Sequence, residues 1–94
     1  MPYMYTDRQE RIDFIADAVI IDQIIDWFGT DVRIIKTDNE NKVSVSIRAS
    51  LNAMEHRAMQ YINHVEIVSP ESLRTRVKEV LENGLKKYKQ NSTL

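Results

Sequence analysis

The junction at Ser69 constrains this chain more than any other stretch. Val65-Glu66-Ile67-Val68 is a short apolar run, and Ser69-Pro70-Glu71 follows it directly. Serine is an N-cap residue, its oxygen accepting from the orphan N–H groups of a first helical turn. Pro70 at the first helical position lacks only an N–H that has no partner there. Glu71 meets the positive end of the helix dipole. A strand therefore ends and a helix begins within two residues. The helix is apolar at Leu73, Val77, Val80, Leu81, Leu85 and Tyr88, one stripe at helical spacing. This stretch fixes an architecture and carries no chemistry.

Upstream, Ile12, Phe14 and Ala16 alternate with Arg11, Asp13 and Ile15, the two-residue period of a half-buried strand over 11–16. Asp17 offers an N-cap for a helix over 18–28, with Ile21, Ile24, Ile25 and Phe28 on one face and Gly29 as its C-cap. A strand over 32–36 leads through the polar loop Thr37-Asp38-Asn39-Glu40-Asn41 into a strand over 42–48. There Val43, Val45 and Ile47 point in and Ser44, Ser46 and Arg48 point out. Ser50 or Asn52 caps the next helix, Asn52 with Glu55 having the spacing of a capping box. Leu51, Met54, Ala58, Tyr61 and Ile62 form its buried stripe, and Asn63 suits a left-handed end.

The order β-α-β-β-α-β, followed by a helix, predicts an α+β fold. It is the split β-α-β of ferredoxin-like domains, a four-stranded antiparallel sheet with helices on one face plus a C-terminal helix. The uncovered face then shows Arg11, Asp13, Ile15, Ser44, Ser46 and Arg48, with Arg33 or Ile35 beside them.

Ninety-four residues make one domain with one modest core. The net charge of −1 gives no global pull toward nucleic acid or an anionic membrane. Charge is uneven, however: residues 1–69 carry net −4 and residues 70–94 net +3. The absence of cysteine excludes a disulfide framework and thiolate chemistry and is compatible with the cytoplasm. No apolar run has the length of a membrane span.

The side chains that could carry chemistry read mostly as ordinary surface or core. His56 and His64 stand about 12 Å apart along a helix axis, too far for one metal. Asp22 and Asp26 read as a solvated helix face. Gly29 and Gly84 stand alone, so no glycine-rich phosphate loop is present. No serine has a nucleophile elbow. Neither a catalytic residue nor a metal or cofactor site is implied. Trp27 reads as core packing. RNA-recognition motifs share this frame but stack bases on open-face aromatics, which are missing here. The acyl-phosphate hydrolase version needs a phosphate loop after the first strand, where this chain has Asp17-Ala18. The basic open face, with Arg11, Arg33 and Arg48, is the candidate ligand-binding surface, arginine suiting phosphate better than lysine.

Two pieces resemble a known family. Ile25-Asp26-Trp27-Phe28-Gly29-Thr30-Asp31-Val32 closes the first helix. Val65-Glu66-Ile67-Val68-Ser69-Pro70-Glu71-Ser72-Leu73-Arg74 opens the third, which reaches Lys87-Tyr88. With their spacing they resemble the C-terminal extension (WCX) domain of bacterial WYL-domain, helix-turn-helix transcriptional regulators. Asn63 stands where relatives often have glycine. The resemblance implies a non-enzymatic module that assists effector sensing and dimerisation in a cytoplasmic regulator. It implies as partners the WYL sensor domain of the same full-length chain, a second copy, and an anionic, nucleotide-like effector. Residues 1–7, with Met1-Pro2-Tyr3-Met4-Tyr5, then read as the remnant of a linker from the sensor domain, 8–89 as the extension domain and 90–94 as a disordered tail. A DNA-reading helix and the Trp-Tyr-Leu tripeptide are absent from the sequence. Direct duplex DNA binding by these residues, and membrane binding, are therefore not expected. The alternative is a free-standing ferredoxin-like module for small-ligand binding or dimerisation.

Overall fold

The computed structural model describes residues 8–91, without the side chains of Thr30, Gln90 and Asn91. The expected linker (1–7) and the last three residues of the expected tail lie outside the described residues.

The strands are β1 (Glu10–Asp17), β2 (Arg33–Lys36), β3 (Lys42–Ala49) and β4 (Val65–Ser69); the helices are α1 (Ile21–Phe28), α2 (Leu51–Gln60) and α3 (Glu71–Asn91). All pairings are antiparallel, in the order β2-β3-β1-β4. This is the ferredoxin-like arrangement that the element order predicts. The two long central strands alternate strictly. Ile12, Phe14 and Ala16 of β1 and Val43, Val45, Ile47 and Ala49 of β3 are buried. The helices seal that face with Ile20, Ile24, Leu51, Met54 and Ala58, joined at the β4 side by Val65, Ile67, Leu73 and Val77 in one continuous core.

Local details depart from the sequence expectations where tertiary partners compete for the capping groups. Asp17 makes no cap hydrogen bond; its carboxylate takes Lys42 and His64 instead. The first helix opens with a 3-10 turn (Ala18–Ile20) before α1. Ser69 donates its hydroxyl to Asp13 across the sheet, and the Pro70 carbonyl accepts the first N–H groups of α3, from Leu73 and Arg74. Ser50, not Asn52, caps α2 by accepting from the Ala53 N–H, while Glu55 reaches Arg76 on α3. The α2 helix ends at Gln60, and Tyr61, partly buried, makes the turn with φ −116°. Only Gly29 has positive φ among the described residues, so Asn63 is not left-handed. Gly29 itself, at φ 64° and ψ −140°, sits in a region open essentially to glycine alone.

The apolar stripes are narrower than drawn from sequence. Ile25 is 44% exposed, because α1 offers only Ile24 fully to the core. On α3, Leu73 and Val77 are buried but Leu81, Leu85 and Tyr88 are not. The 21 residues of α3 span about 32 Å, and its later turns run past the sheet that its first turns cover.

Candidate functional site

The face of the sheet away from the helices is uncovered, and the strand register sets what lies on it. Arg11 of β1 is directly opposite Arg48 of β3. Arg33 of β2 is opposite Ser46, which in turn is opposite Asp13. Arg33 and Arg48 are therefore diagonal neighbours, about 7–8 Å apart at the backbone. The three arginines named from sequence thus gather on three adjacent strands, at one corner of the open face. All three are exposed. Both alternatives beside them are realised, since Ile35 shares the face and is also exposed.

Like charges directly opposed across two strands repel, and local acceptors relieve the Arg11–Arg48 pair. Arg11 Nε donates to Asp13 Oδ1 at 3.3 Å, and Arg48 Nη2 to the Gln9 carbonyl at 3.2 Å. Arg33 has no ion pair or hydrogen-bonded side-chain partner among the described residues. A guanidinium carries five N–H donors, so most of the donors at this corner remain directed to solvent. Such a set can hold an anion with planar, bidentate oxygens.

Asp13 is the hub behind the arginines. Burial pushes its carboxyl up, but the hydroxyls of Ser46 and Ser69 and the neighbouring Arg11 outweigh this and hold it below its ordinary value. It stays ionised and anchors Arg11, and through Ser69 it ties β4 to β1 at 2.9 Å. Beyond the row of Ile35, Ser44 and Ile15 lies a second polar group, where the ends of three strands meet. Asp17 accepts from Lys42 Nζ at 2.8 Å and lies 3.0 Å from His64 Nδ1. Those hydrogen bonds, Lys42 foremost, hold Asp17 below its ordinary value. A carboxylate only accepts, so Nδ1 is the protonated nitrogen. Asp17 thus links the start of β3, through Lys42, to the residue before β4, through His64.

Asp22, Asp26 and His56 lie exposed on the helical layer. Among the described residues no three His, Asp or Glu side chains come together to hold a metal. Trp27 packs against the core and carries an assembly that sequence reasoning missed. The Tyr61 ring meets it edge-on at 4.7 Å, and the Arg57 guanidinium lies 5.4 Å over it. Asp13 as a hub was also missed. Its alternation with Ile12 and Phe14 put it on the open face, but only the register shows that Ser46 and Ser69 flank it.

No helix among the described residues is long and apolar enough to cross a membrane. Comparison with known family models, curated proteins and solved structures gives no match for the chain.

Proposed function

We propose that this domain is the non-enzymatic, effector-sensing and self-associating C-terminal extension of a WYL-type, helix-turn-helix transcriptional regulator working in the cytoplasm. The observation that carries this reading is the arginine corner. Arg11, Arg33 and Arg48 share an uncovered sheet face with unspent donors, which suits reversible recognition of an anionic, nucleotide-like effector. The face also leaves room for the sensor domain of the same full-length chain. The stretches around Phe28 and Ser69, which close α1 and open α3, are the ones that carry the resemblance. A second reading, a free-standing ligand-binding or dimerisation module, is favoured by the core, which is closed by this domain's own residues.

Two measurements test the proposal. The first reads the coding sequence upstream of codon 1: a helix-turn-helix and a Trp-Tyr-Leu segment are expected, and a stop codon immediately upstream would leave only the free-standing reading. The second titrates the chain with a labelled single-stranded oligonucleotide, using ATP and inorganic phosphate as competitors. Binding should weaken steeply with salt and be lost in Arg33→Glu/Arg48→Glu with the melting temperature unchanged. Equal binding by that variant would make the face plain solvated surface.

A further inference from the structure

Asn83-Gly84 is the only Asn-Gly pair in the sequence. In such a pair the glycine nitrogen can attack the asparagine side-chain amide, because no Cβ on the second residue crowds the approach. The structure sets this pair apart from the other asparagines whose side chains it describes. After Asn41, Asn52 and Asn63 the attacking nitrogen is tied down. Lys42 N–H donates to the Asn39 carbonyl at 3.0 Å, Ala53 N–H to Ser50 Oγ at 3.1 Å and His64 N–H to the Tyr61 carbonyl at 2.8 Å. The Asn39 side chain is itself engaged, accepting from the Asn41 N–H at 2.8 Å. Gly84 N–H is held only by the ladder of α3.

That ladder is weak here. Asn83 is exposed, and no side chain from Lys78 to Tyr88 makes a hydrogen bond or ion pair among the described residues. Leu81 and Leu85, on either side, are 42% and 56% exposed. Gly84 costs the helix about 1 kcal/mol relative to alanine. A segment with so few anchors opens locally, at a free energy below that of global unfolding.

We propose that Asn83 is a site of spontaneous deamidation, gated by local opening of the second half of α3. A helical ψ of about −42° keeps the Gly84 nitrogen away from the amide carbon, so the closed helix is inert. Opening frees both the N–H and the torsion. The Gly84 nitrogen then bonds to Asn83 Cγ, the Cγ–Nδ2 bond breaks, and the amide nitrogen takes the Gly84 proton and leaves as ammonia. Water opens the resulting succinimide at either carbonyl. One product is an ordinary aspartyl linkage, whose new carboxylate lies one turn before Lys87 and can pair with it. The other is an isoaspartyl linkage, with an extra methylene in the main chain, which breaks the ladder and releases the turns beyond it. The change is irreversible and leaves Leu73 and Val77 seated in the core. Neither the arginine face nor the regulatory reading enters this chemistry.

The test incubates the whole chain at mildly alkaline pH and follows the tryptic peptide 79–86 by mass spectrometry, with enzymatic methylation to count isoaspartate. The same chain in strong urea gives the rate without a helix. Asn83 should convert before any other asparagine, more slowly than in urea, with both products present. Leu73→Ala, checked by circular dichroism to remain folded, should leave the rate within about twofold, because the opening is local. Tyr88→Pro, whose ring clashes with the Gly84 carbonyl and removes the N–H bonded to it, should raise the rate severalfold toward the urea value. Acceleration of Leu73→Ala in proportion to its lost global stability would show that Asn83 reacts only from the unfolded chain, and would overturn the proposal. An unchanged rate in Tyr88→Pro, or earlier conversion of another asparagine, would overturn it equally.

Discussion

The two halves of α3 share one helix and one amphipathic pattern, yet they do different work. In the first half, Leu73 and Val77 complete the core. Arg74 donates to the Ile67 carbonyl at 2.6 Å and to Glu66, covering the outer edge of β4. Arg76 reaches Glu55, whose side chain is only 17% exposed, and so fixes α3 to α2. In the second half the stripe continues but the partner does not. The contrast teaches that an apolar period shows where a helix could bury a face, not how much sheet lies beneath it. Here about two turns are covered, and the remainder presents leucine and tyrosine to whatever meets it.

Substitutions separate the halves most strongly at the leucines. Leu73→Ala should cost about 2–5 kcal/mol, the range for emptying a fully buried site, whereas Leu85→Ala should stay within about 0.5 kcal/mol. Urea unfolding at low protein concentration reads both, and equal losses would erase the distinction. Arg74→Ala comes next. It uncaps a strand-edge carbonyl, but its side chain is half-exposed, so a loss near 1 kcal/mol is expected after screening; an unchanged midpoint would mean that the β4 edge needs no cover.

Acid should act on the anchored part as well. Asp13 and Asp17 have lowered pKa values in the fold, so the unfolded chain takes up their protons first as pH falls. Their contribution is complete above the ordinary carboxylate range and is lost as pH drops through it toward the folded values. Thermal melts from pH 7 to pH 3 should therefore fall steeply only at the acid end, and less steeply in Asp13→Asn. A parallel decline in that variant would remove Asp13 from the account. The smallest effect belongs to the free half. Gly84→Ala has open space at its Cβ and should raise local helix stability there by up to about 1 kcal/mol, read as slower amide exchange from Leu81 to Tyr88. Unchanged exchange in Gly84→Ala would mean that the glycine costs this half of the helix nothing.

Most of the fold was legible because β1 and β3 alternate without interruption: Phe14 and Val45 could only be core, and Arg11 and Arg48 could only be outside. The three-arginine corner was legible as a set, because each residue's face follows from parity alone. Its compactness was not, since the Arg11–Arg48 and Arg33–Ser46 alignments are facts of register. Helix ends were the least legible. Asp17, Ser69 and Asn52 all look like caps locally, but partners 25 to 56 residues away claim two of them: Lys42 and His64 donate to Asp17 in place of the local N–H groups, and Ser69 turns its hydroxyl to Asp13. The division of α3 was hidden for the same reason, because nothing in Leu81 or Leu85 announces where β4 stops.

Amide hydrogen exchange along α3 at low protein concentration tests the central claim most directly. Amides near Leu73 and Val77 should be protected to the level of β1 and β3, while those from Leu81 to Tyr88 exchange far faster. Uniform protection of α3 would contradict the account.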